Sequence, residues 1–180
     1  AHGLWNPGPD TAVEFQRLDA TGAPAWSIVQ PGVNGPGATW AVAFAANGDV
    51  LTLRSHYHDS EPETGRVELV AHAVEDGTER WRTTIVSDPK LWLMGHSILF
   101  TPEGELRVVY TQHMLANSLQ PVGVGVAELT ATGELLSAGV LSVDVIAGKN
   151  ELPQIVGGIG PCDTLWVWDA RGGGLRKFQL

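Results

Sequence analysis

The sequence predicts an all-β fold built from repeated antiparallel hairpins, and three observations carry that expectation. Turn signals recur at a fixed step: Gly22, Gly77 and Gly133 lie about 55 residues apart, as do Gly48 and Gly104. Short apolar runs of β character flank these turns, as WAVAF does before Asn47-Gly48. No segment sustains a helical period. A step of this size means an array of supersecondary units, none of which can bury its own faces alone.

Taken in order, Val13–Leu18 alternates as a strand, Asp19–Gly22 supplies turn chemistry, and Pro24–Val29 returns as the partner with Trp26. Trp40–Ala45 and Val50–Tyr57 form the next hairpin, and DSEPETG after them reads as an acidic, solvated loop. Val67–Val74 and Arg80–Val86 turn at Asp76-Gly77. A loop through Asp88-Pro89 leads to Ser97–Phe100, which turns at Glu103-Gly104 into Leu106–Thr111. The third pass is Val122–Thr130, Leu135–Val140, Pro153–Val156, a long turn Gly157–Asp163, and Leu165–Trp168. The last segment, LRKFQL, restates VEFQRL from the start. One all-β repeat domain therefore spans residues 1–180, with repeats near 12–64, 65–120 and 121–174, and 175–180 starting a further unit.

Four strands per unit, with a hairpin turn after every pair, is the pattern of a β-propeller blade. LDATGAPAW (Leu18–Trp26) and AVEDGTERW (Ala73–Trp81) carry the same strand-turn-strand element. They resemble the Asp-x-x-Thr-Gly-x-x-x-Trp element of quinoprotein-like (PQQ-like) β-propellers, and the alternation with FAANGDVLTL and FTPEGELRVV is similar to bacterial β-propeller repeats. The resemblance implies that Trp26 and Trp81 dock one blade on the next. TATGELLSA, in the third repeat, has no Trp, so Leu135 or Leu136 is expected to dock instead. No quinone site carries over. Roughly three repeats are fewer than the four or more blades of a closed propeller. The expected solutions are part of a larger propeller, a ring shared by two copies of the chain, or, as the alternative fold, a β-trefoil.

A net charge of -9, with 11 Lys+Arg spread along the chain, excludes a nucleic-acid surface, which needs clustered positive charge. The single Cys162 forms no disulfide within the chain, and no apolar stretch is long enough for a membrane-spanning helix. Many Ala, Gly and Val with three lysines point to a bacterial protein, expected to be extracellular, periplasmic or at the cell surface in mature form.

Histidine supplies the first site candidates, because it serves both acid–base chemistry and metal ligation. His56 and His58 are two apart and share one face of an extended strand; with Asp59 they could hold a divalent metal, the sole cofactor the pattern admits. His113 falls at the matching strand end one repeat later. A step of 56 residues takes Trp40 to His96 and His96 to Leu152, at the start of the strand expected to be innermost. Trp40, Trp92 and His96 are therefore the candidate ligand-binding group, a polar ring within an aromatic rim. His96 and His113 are the only catalytic candidates. Set against these is the plainer reading of each as an ordinary packed or strand-end residue. The expected function is a non-catalytic binding or scaffold module that presents its loops to a protein or glycan. A propeller hydrolase or transferase using the two histidines, and a trefoil lectin, are the competing expectations.

Overall fold

A computed structural model of the chain describes residues 13–30, 38–56, 65–114, 121–141, 155–160, 164–169 and 174–179. Among them are thirteen strands and no helix. The first sheet is a hairpin of β1 (Val13–Leu18) and β2 (Pro24–Gln30). The second is four-stranded and runs in chain order through β3 (Ala38–Phe44), β4 (Val50–His56), β5 (Arg66–His72) and β6 (Glu79–Ser87). The third repeats it with β7 (Leu91–Phe100), β8 (Leu106–Met114), β9 (Pro121–Leu129) and β10 (Leu135–Leu141). The fourth contains β11 (Ile155–Gly160), β12 (Thr164–Asp169) and β13 (Gly174–Gln179). Neighbours are antiparallel throughout, and no sheet closes on itself among the described residues. The repeat read at 65–120 thus takes two strands from the second sheet and two from the third.

Turn chemistry explains the hairpins. At the β3–β4 turn, Gly48 N donates to Ala45 O and Ala45 N to Asp49 O, and Gly48 adopts φ +89. This tight turn needs a left-handed residue, which glycine supplies without a Cβ clash. Asp19 and Asp76 hold their own turns: Asp19 Oδ1 accepts from Thr21 N (2.8 Å) and Thr21 Oγ1 (2.6 Å), and Asp76 Oδ1 accepts the same pair from Thr78 (3.0 and 2.8 Å). The hydrogen bonds from Thr21 lower the Asp19 carboxyl below its ordinary value.

Packing follows from which face each strand residue takes. Leu51, Leu53, Val67, Leu69 and Ala71 of the second sheet meet Leu93, Leu106, Val108, Tyr110, Ala127 and Leu129 of the third. The other face of the third sheet sends Val109, Val124 and Val126 against Leu165 of the fourth. A sheet buried on both faces loses strict alternation. That is why Leu106–Tyr110, LRVVY, reads as a nearly continuous apolar run.

The tryptophans link successive sheets. Trp26 Nε1 donates to Val74 O at 2.7 Å, in the β5–β6 turn of the following sheet, and Arg17 Nη1 reaches the same carbonyl at 2.6 Å. Trp81 lies against Gly133, in the β9–β10 turn of the sheet after that, where a Cβ would strike the indole, and Thr83 Oγ1 donates to Gly133 O. The expected substitution by Leu135 or Leu136 is corrected. Register places Ser137, 56 residues beyond Trp81, at the tryptophan position, while Leu135 and Leu136 are 38% and 53% exposed. Both hairpins carry a β-bulge just before this position, at Arg80 and at Leu136, so the equivalence is set by backbone register and not by side-chain size.

Candidate functional site

The site begins with a strand longer than the sequence suggested. β7 starts at Leu91, where a loop was expected up to Ser97. Similarly, the expected turn Gly157–Asp163 is shortened, because β11 runs through Gly160. LWLMGHSILF did not announce itself as a strand because it packs on both sides and lacks a period of two. Within β7, Gly95 pairs with Tyr110 and Ser97 with Val109, which leaves His96 as the extra residue of a β-bulge. In β3, Thr39 pairs with Arg54 and Ala41 with Leu53, leaving Trp40 in the same place. The equivalence of Trp40 and His96 is therefore a shared backbone feature. A bulge re-aims the side chain it carries and interrupts the ladder, and bulges concentrate beside functional sites.

That re-aiming brings His96 onto the row of β8 residues that faces the fourth sheet. His96 Nε2 lies 2.8 Å from Thr111 Oγ1, and the same hydroxyl lies 2.8 Å from His113 Nε2. Thr111 and His113 are two apart on β8 and so share a face. Trp92, paired across the ladder with His113, tilts against its ring at 44° with centroids 5.5 Å apart. The structure thus gathers Trp92, His96 and His113, three of the sequence candidates, around one threonine. Thr111 was missed. A strand threonine carries no signal, and only its spacing of two from His113 could have found it.

A hydroxyl has one proton, so Thr111 donates to one imidazole and accepts from the other. The two rings must then be in opposite Nε2 protonation states, and the one that accepts the hydroxyl proton must be neutral. Protonating both nitrogens would leave the hydroxyl proton without a partner. Burial, and after it the neighbouring His113, push His96 down to about 4. At neutral pH His96 is uncharged. Thr111 and His113 are fully buried, whereas His96 and Trp92 are partly exposed. An incoming ligand would meet His96 and the Trp92 indole, with Thr111 and His113 behind them holding the ring.

The remaining candidates fall elsewhere. His56 ends β4 on the face turned away from the third sheet, with its Nε2 2.8 Å from Glu68 Oε2. His58 and Asp59 lie outside the described residues, as does the side chain of Trp40. His113 lies near the end of β8 as His56 ends β4, but one residue further along the repeat: a step of 56 takes Ser55 to Thr111 and His56 to Gln112. A one-residue offset turns a strand side chain to the opposite face. His56 and His113 therefore belong to different surroundings. No cluster of three or more metal-ligating His, Cys, Asp or Glu occurs among the described residues.

No protein-family model matches this chain, and no curated protein matches it.

Proposed function

We propose that the chain is a binding module of the β-propeller type, contributing successive blades, and that His96 and Trp92 form its recognition site for a hydroxyl-rich glycan. The observation that carries this reading is the His96–Thr111–His113 row, with His96 neutral, beside the partly exposed Trp92. A neutral imidazole offers a donor or an acceptor without a charge, and an indole offers an apolar face, which together suit sugar hydroxyls and C–H faces. General-base catalysis is less well served. An efficient base has its pKa near working pH, whereas burial holds His96 at about 4. Two consecutive four-stranded meanders, joined by Trp81 on the Gly133 turn, support the propeller reading, as does the resemblance to quinoprotein-like repeats. Placement outside the cell, in a bacterium, accords with a glycan partner.

The test is a glycan array and a peptide array probed with the wild-type protein and with Trp92→Ala and His96→Ala. The expected result is binding to a set of neutral glycans that falls at least about tenfold in each variant, the loss that one removed hydrogen bond or aromatic contact produces. Stoichiometric metal in the purified protein, or glycan binding untouched by both variants, would contradict the assignment.

A further inference from the structure

The face of the second sheet turned away from the hydrophobic core carries a charge arrangement that the glycan site does not use. Strand alternation places Arg54 and His56 of β4, Arg66, Glu68 and His72 of β5, and Arg82 of β6 on that face. Glu68 is 4% exposed and is saturated with cations. His56 Nε2 is 2.8 Å from Oε2, Arg66 Nε is 3.1 Å from Oε1, and Arg82 Nη1 is 3.0 Å from Oε2. Arg82 also grips Glu79, through Nε at 3.1 Å and Nη2 at 2.7 Å. Both carboxylates are thus engaged by other groups. Arg54 is left over: it is partly buried, and its Nε is buried without a hydrogen-bond partner among the described residues. Burial first, and then the charge of Arg82, lower Arg54 to about 10.

The carboxylates that act on Arg54, Glu68 directly across the ladder and Glu79, are already held by other cations. A half-buried guanidinium that shares its counter-charges in this way is costly to keep. Three arginines stand here against two carboxylates, in a chain whose net charge is -9. We infer that the Arg54 face of β4–β6 is an anion-binding site that takes a single oxyanion group, such as a carboxylate, sulfate or phosphate. The planar fork of Arg54 would take two of the oxygens, as arginine does with such groups elsewhere. Arg66 and Arg82, already committed to Glu68, would set the field that favours a negative ligand.

The probes are acetate, sulfate and phosphate, titrated at constant ionic strength with chloride as the balancing salt and followed by calorimetry and thermal unfolding. Saturable binding of at least one oxyanion, with a rise in melting temperature, is expected. Acetate acting alone would identify a carboxylate ligand; sulfate and phosphate acting together would identify a tetrahedral one. Arg54→Gln should weaken that binding about tenfold or more, Arg54→Lys should retain part of it, and Arg66→Gln should leave most of it. No saturable response in the wild-type protein would overturn the inference. So would equal binding by the wild type and Arg54→Gln, or a response to chloride of the same size.

Discussion

Between pH 7 and pH 4 the wild-type protein should lose roughly 2 to 3 kcal/mol of stability through His96 alone, and His96→Gln should abolish that part of the loss. The sign follows from the direction of the shift. Folded His96 titrates at about 4 against an ordinary 6.5, held down by burial and by His113. Across that window the unfolded chain takes up a proton that the folded chain refuses. The contribution is fully present above 6.5 and is lost as pH falls through 4. Burial also lowers His72, so both proteins will show some acid sensitivity. Denaturant unfolding of wild type and variant at several pH values isolates His96 as the difference in slope. A glutamine keeps an amide donor within reach of Thr111, so the variant should still fold. Glu68, held at about 2 because His56 and the arginines outweigh its burial, adds a separate loss only below about 4.5.

Gly125→Ala should cost about 3 kcal/mol or more and could prevent folding at moderate temperature. Gly125 pairs with Tyr110, whose ring lies directly over it, so that a Cβ there would fall inside the ring. Tyr110 is 1% exposed and sits among Leu53, Leu69 and Leu93 in the core between the second and third sheets, with no room to retreat. Shortening the partner should recover part of the loss: Gly125→Ala with Tyr110→Leu is expected to be more stable than Gly125→Ala alone. A measured cost below 1 kcal/mol would mean that the two sheets are not packed as described.

Much of this fold was legible in the sequence because turns and strands are local events. Asn47-Gly48 and Glu103-Gly104 announce tight hairpins by needing a residue at positive φ, and their spacing exposes the repeat. Less was legible where two faces of a strand are buried at once. Leu91–His96 belongs to β7, yet its residues show neither alternation nor charge, and Pro89 beside it suggested a loop. The site was partly visible. Trp92, His96 and His113 could be named from their chemistry and the repeat step, but their meeting depends on the bulge at His96. A bulge shifts register by one residue, and one residue decides which face a side chain takes. The same sensitivity puts His113 and His56 on opposite faces of matching strand ends, and it hid Ser137 as the true counterpart of Trp81. Ionic partners were the least legible. The convergence of His56, Arg66 and Arg82 on Glu68 comes from three strands, and sequence spacing alone does not reveal it.

The central claim is that His96 is a neutral recognition group, held by Thr111 and backed by His113, and imidazole nitrogen-15 NMR tests it most directly. At pH 7 the spectrum should show His96 neutral, with His96 and His113 in opposite protonation states at Nε2. Adding a neutral glycan selected on the array should shift the His96 nitrogens first and leave those of His56 in place. A protonated His96 at pH 7, or His96 signals unmoved at glycan saturation, would contradict the account.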